Sequence, residues 1–321
     1  MNLLKKIKLN YNLKLFEEHV SNKEFDLAYD FILDLKKKNQ IDLFLLLKNS
    51  QTLLRDLPFE FYKKKIIWTV SYDLSDLSYI NKFLDFYLSR NLNLSFKIGN
   101  FTNLLNDYFS NLDTESQKKD IVFDDFLSLS NLYQNLILFN HDNDYLFLNS
   151  CASFFETNKK NYFIYPNTTF CYFYIINTPE ELLLRYKQNF GSSDASYDEL
   201  FNFSDQQFLN KEQEDLPFKV YENRKGYNTN VKSWTDENVM NTFKGKIISY
   251  DKLMNQTQDV LIEILYHLKQ FGMIIDINID DVKNFILNNE LNKKFYGELS
   301  NNDKKFLDKN LDRTISFPDI I

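Results

Sequence analysis

The chain of 321 residues holds only two cysteines, three histidines, six glycines and five prolines. Cys151 and Cys171 cannot build a disulfide framework, and His19, His141 and His267 are too scattered to read as a metal cluster. Basic tracts stop at Lys36-Lys37-Lys38 and Lys63-Lys64-Lys65, and the net charge is −7, so the electrostatic footprint of a nucleic-acid binder is missing. No apolar run approaches the roughly 20 residues that a membrane-spanning helix needs, so no membrane span is expected. Met1 to Leu9 is basic and apolar but lacks a sustained hydrophobic region and a small-residue cleavage site; a reduced, cytoplasmic location is the expectation.

What is present describes a folded globular chain, with 44% hydrophobic and 26% charged residues. Phe (31) and Tyr (20) abound beside plentiful Asn, Lys and Ile, a bias that points to AT-rich coding. Under that bias a missing glycine says less about lost function than a missing lysine.

Residues 1–62 read as a helical extension. Ser21-Asn22-Lys23-Glu24 matches a capping box, and Phe25, Ala28, Ile32 and Leu35, with Phe31 beside them, form one face of the helix that follows. Ile41 to Leu54 reads as a second helix, closed by Pro58. No second copy of this pair recurs at a fixed period, so a repeat array is not expected.

Residues 63–321 alternate strands with helices, the pattern of an α/β fold. Ile66 to Val70 is an apolar, β-branched run of strand length, and Leu77, Ile80, Leu84 and Leu88 recur at helical spacing after it. Strand, short polar turn and helix together aim helical N–H groups at an anion. This turn, however, contains no glycine and no lysine but two aspartates, so Asp73, Ser75 or Asp76 is expected to cap the helix where a phosphate would otherwise sit. Asn100 to Asn140 reads as mostly helical, anchored by Phe123, Phe126, Leu127 and Leu129. Tyr145 to Leu148 reads as a short strand and Phe170 to Ile176 as one buried on both faces. Pro179 opens a helix, Gly191 to Gly226 is a polar excursion, Ile247 to Tyr250 is a strand, and Asp259 to Phe271 is an amphipathic helix. From Asp276 onward the chain reads as helical and polar.

In order and spacing these segments resemble the PAPS-dependent sulfotransferase family, over roughly Lys64 to the end of the chain. Ser71-Tyr72-Asp73-Leu74-Ser75-Asp76-Leu77-Ser78-Tyr79 lies in register with that family's Ser-Tyr-Pro-Lys-Ser-Gly-Thr-Thr-Trp loop. Phe147-Leu148-Asn149-Ser150-Cys151 answers to its Phe-Leu-Lys-Thr-His segment. Ile176-Asn177-Thr178-Pro179 answers to a strand ending in Arg-Asn/Asp-Pro, with Arg185 where the family has a serine. Ser233-Trp234 and Tyr250-Asp251-Lys252-Leu253 follow in the family's order. Arg224-Lys225-Gly226 spells the family's nucleotide clamp but precedes Ser233-Trp234 instead of lying near the end of the chain, and is read as coincidence.

The resemblance implies a P-loop type α/β fold, a mainly parallel central sheet flanked by helices, with PAPS as cofactor and a glycan or small-molecule hydroxyl as acceptor. It also implies that no catalytic residue is intact. Leu74 stands for the loop lysine, Asp76 for the loop glycine, Cys151 for the general-base histidine and Asn177 for the arginine that holds the ribose phosphate. Ser75, Ser78, Tyr79 and Arg185 remain as weak cofactor-binding candidates, no metal is implied, and Cys151 reads as a buried apolar residue. Three readings stay open: a decayed member with a binding or regulatory role toward a protein or small molecule, a working sulfotransferase, and an interaction protein that uses its helical extension.

Overall fold

The computed structural model describes residues 3–92, 99–101, 104, 123–154, 163–190, 207–208, 222–223, 226–289, 291 and 297–312. The Ile66–Val70 run forms the centre of strand β1 (Lys65–Ser71), buried along its whole length. It lies between β3 (Tyr145–Ser150) and β4 (Thr169–Ile176), parallel to both. A two-residue strand β2 (Gly99–Asn100) adds to β3, and β7 (Gly245–Ser249) adds to β4, giving the all-parallel order β2-β3-β1-β4-β7. Strands β5 (Gln207–Phe208) and β6 (Glu222–Asn223) form a separate antiparallel pair.

The strands read as continuous apolar runs because both faces are covered. Ile66, Trp68, Val70, Tyr172, Tyr174 and Ile247 point into one core, whereas Ile67, Phe147, Phe173, Ile175 and Ile248 point into the other. The first core is closed by α1 (Leu3–Ser21), α2 (Phe25–Lys38), α3 (Gln40–Asn49), α4 (Gln51–Asp56), α6 (Phe123–Asn140) and α8 (Tyr227–Thr235). The second is closed by α5 (Ser78–Leu92), α11 (Thr257–Gln270) and α12 (Ile279–Asn288), with α10 (Tyr250–Asn255) contributing Leu253. Three further helices complete the described elements: α7 (Pro179–Phe190), α9 (Glu237–Phe243) and α13 (Asn301–Asn310).

The helical extension packs on the sheet domain instead of standing apart from it. Ala28, Ile32, Leu43, Leu46 and Leu47 belong to the same core as Trp68 and Phe139. A seam is made by Lys65, whose Nζ donates to the carbonyls of Phe59 (2.5 Å) and Tyr62 and sits 4.0 Å from the centre of the Phe59 ring. The carbonyls and the ring offset part of the burial cost of that lysine, which still pulls its ammonium down to about 7.

Two expectations for the extension are corrected. Ser21 does not open a helix: it ends α1, because Lys23 adopts φ 60° and lets Glu24 N donate to His19 O (2.8 Å), which satisfies the end of α1. Glu24 makes no side-chain cap on α2, and its carboxylate instead meets His19 Nδ1 at 2.8 Å. The helix expected over Ile41 to Leu54 is two helices, broken at Ser50, with Asn39 Oδ1 accepting from Ile41 N (2.9 Å) at the start of α3. The side chains of Phe123, Phe126, Leu127 and Leu129, and most of the Gly191 to Gly226 stretch, lie outside the described residues.

Gly245 is one glycine the sheet requires. It lies opposite Tyr172 in the β4–β7 ladder, and a Cβ there would stand 2.3 Å from the Tyr172 ring. That ring cannot yield, because it is fully buried and its hydroxyl donates to Trp234 O. Gly245→Ala is therefore expected to destabilise the fold by about 1–3 kcal/mol, lowering the melting temperature by several degrees in a calorimetric scan.

Candidate functional site

From β1 the chain proceeds to β2 and β3 on one side of the sheet, then crosses to β4 on the other. The crevice beyond the carboxyl ends of β1 and β4 is thus the switch point where parallel α/β sheets place ligands. One wall is Tyr72-Asp73 and the 3-10 turn Leu74–Leu77, leading into α5. The other is Asn177-Thr178, leading into α7, where Thr178 Oγ1 accepts from Glu181 N (3.3 Å) and fixes the first turn.

Asp76 and Arg185 meet across this crevice. The Arg185 guanidinium approaches Asp76 Oδ1 at 2.6 Å, with side-chain exposures of 8% and 1%. The guanidinium also lies 3.2 Å from Asp73 Oδ2 and 3.2 Å from Glu181 Oε1, one helical turn earlier on α7. The Tyr250 ring lies beside it, 5.6 Å from the guanidinium carbon. Asp76 also accepts from Asn177 Nδ2 (3.2 Å) and from Ser71 Oγ (3.3 Å). Burial pushes the Asp76 carboxyl up to about 6, with Arg185 opposing the rise and Asp73 adding to it.

The expected cap is not formed by Asp76, whose carboxylate turns inward onto Arg185, Asn177 and Ser71. Arg185, read from sequence as a possible relocated phosphate ligand, is occupied by carboxylates. Asn177, at the family arginine position, donates to Asp76, accepts Thr178 N (2.8 Å), and offers its carbonyl to the Tyr227 hydroxyl (3.0 Å). Ser78 is exposed at the start of α5, and Tyr79 is buried with its ring 5.3 Å from Phe285 of α12. Leu74 and Ser75 belong to the 3-10 turn, and their side chains lie outside the described residues. Among the described candidates from sequence, Arg185 joins both acids of the turn and Asn177 joins Asp76.

Cys151 follows β3 directly and is 2% exposed, and its carbonyl accepts from Asn230 Nδ2 of α8 (3.2 Å). The three histidines are held elsewhere. His141 lies near Tyr145 O at the amino end of β3, about 20 Å from Cys151 by the rise of a six-residue strand. His267 packs on Phe173 in the opposite core, and His19 pairs with Glu24. A fully buried Cys171 completes the free thiols, its ionisation pushed far up by desolvation. Among the described residues no group of His, Cys, Asp and Glu could hold a metal ion, and no helix is long and apolar enough to cross a membrane.

Sequence reasoning did not connect Asp73, Asp76 and Glu181 through Arg185. The signal was present, since an acid, Asp76, follows the first strand and a base, Arg185, lies in the helix after Pro179, at positions singled out by the resemblance. No family model matches the chain, and no curated protein matches it.

Two expected outcomes follow from this geometry. Arg185→Leu leaves the Asp76 carboxylate buried without its charge partner and should cost about 3–5 kcal/mol in urea unfolding, whereas Arg185→Leu with Asp76→Asn should recover much of that loss. The pH profile carries a definite sign. Because the folded carboxyl of Asp76 titrates above its unfolded value, its contribution is largest at low pH and is lost as pH rises through about 6. Asp76→Asn should therefore make the fall in stability between roughly pH 4 and 6 shallower than in the parent chain.

Proposed function

We propose that the chain is a sulfotransferase-like protein of the P-loop type whose nucleotide and catalytic positions have passed to structural use, and that it acts by binding or regulation instead of sulfate transfer. The observation that carries this reading is the Asp76–Arg185 pair, because it fills the anion position of the crevice with a side chain of the protein itself.

The donor set does not fit PAPS. Three carboxylates, Asp73, Asp76 and Glu181, surround one guanidinium, so the crevice is net acidic where a phosphosulfate would bring further negative charge. One like-charge contact at about 4 Å costs roughly 4 kcal/mol at an effective dielectric near 20. Opening the crevice to an anion would also separate Asp76 from Arg185. Cys151 is buried and remote from the histidines, which leaves the acceptor hydroxyl without the general base that sulfate transfer uses. The helical extension, continuous with the sheet core, supports a stable docking body.

A thermal-melt series with millimolar PAPS or its desulfated nucleotide tests the reading. A ligand at 100 times its dissociation constant stabilises a fold by about 2.7 kcal/mol, a shift of several degrees for a domain this large. No shift is expected, and no sulfate transfer to glycan or small-molecule hydroxyls. A saturable shift in the unmutated chain, or measurable sulfate transfer, would overturn the proposal in favour of a working enzyme.

A further inference from the structure

Helix α8 lies along one face of the sheet. Its first residue, Tyr227, reaches the carboxyl end of β4 through Asn177 O, whereas Trp234 near its last turn accepts from Tyr172 in the middle of the same strand. Beyond Trp234 the chain turns at Asp236 into α9. A groove of about 650 Å³ lies in that corner, away from the Asp76 crevice. Its volume is within the range of roughly 300–1,000 Å³ usual for small-molecule sites.

The lining restricts the ligand. Phe154 and Phe243, edge to face at 5.3 Å, give it an apolar floor together with Val239. The cation among the described lining residues, Lys232, is paired with Asp312. Asp236 commits Oδ1 to Asn238 N (3.0 Å) and Val239 N (3.2 Å) at the start of α9. A phosphate thus meets a lysine already paired with a carboxylate, and a quaternary ammonium meets a carboxylate with one oxygen already held by two helix N–H groups. What the rim presents instead is the hydroxyls of Thr229 and Thr242 and the amide of Asn238, groups that both donate and accept.

An aromatic floor under a rim of two-way hydrogen-bonding groups, with its lysine and aspartate already engaged, matches a ligand with one apolar face and a girdle of hydroxyls. We propose that the α8–α9 groove binds a neutral saccharide of one or two rings. The assignment is independent of whether the Asp76 crevice binds a nucleotide.

Trp234 gives the site its own reporter, since its ring lies 5.6 Å from Phe154 and the chain has only one other tryptophan, Trp68. In Trp68→Phe, maltose, cellobiose and lactose should be titrated against Trp234 emission. Saturation-transfer NMR on the unmutated chain with the same sugars covers the case in which that variant folds poorly. At least one disaccharide should bind saturably in the millimolar range, with affinity falling about tenfold or more in Thr242→Val with Asn238→Leu, which removes two hydrogen-bonding groups. Inorganic phosphate and choline should give no saturable response. Failure of all three sugars to bind, undiminished affinity in the double variant, or saturable binding of phosphate or choline would each overturn the assignment.

Discussion

The carboxyl end of the sheet depends on one buried ion pair, Asp76 with Arg185. Removing a carboxylate and a guanidinium from water is costly, and the pair persists because every partner nearby is arranged for it. Asn177 and Ser71 donate to the carboxylate, Tyr250 lies beside the guanidinium, and Asp73 and Glu181 share the rest of its charge. Those groups come from the ends of β1 and β4 and from the elements that follow β1, β4 and β7. The pair therefore ties together the elements that a ligand would otherwise have to hold.

Such a closure differs from simple loss of a site. A turn stripped of lysine and glycine but left hollow would retain helical N–H groups able to attract a stray anion. Here the turn carries an acid, Asp76, and the opposite wall carries its cation, Arg185. Each alone would place an uncompensated charge at the crevice, which explains why acid and base stand together. The charges of the turn and of α7 are satisfied internally.

How much of this was legible in the sequence varied with the kind of signal. The strands at Ile66–Val70 and Phe170–Ile176 were readable because burial on both faces forces unbroken apolar runs, and the structure extends them only to Lys65–Ser71 and Thr169–Ile176. The helix after Pro179 was readable because ring closure and the paired glutamates act locally. The break at Ser50 was not, since no glycine or proline in Ile41 to Leu54 opposes a continuous helix; Leu43 and Leu46 before the break and Leu54 after it enter the same core. The ion pair at the crevice was legible only in halves. Asp76 and Arg185 are 109 positions apart in the chain, and only the adjacency of β1 and β4 brings their charges to 2.6 Å.

Helix α8 completes the argument from backbone chemistry. Where parallel strands end, their last carbonyls lose ladder partners and need donors from elsewhere. Tyr227 donates to Asn177 O, Asn230 Nδ2 to Cys151 O (3.2 Å), and Trp234 Nε1 to Ala152 O (2.8 Å), so one face of one helix satisfies the chain leaving two strands. Asn230 also accepts from the Tyr174 hydroxyl at 2.8 Å, which fixes the helix against the sheet itself. Donors of this kind are spent on carbonyls and are no longer available to a substrate at the carboxyl edge. The outer side of the same helix keeps Thr229 facing the α8–α9 groove. Hydrogen-bonding groups that the sheet core does not use thus lie on the side of a helix that the core leaves open, where the proposed saccharide would sit.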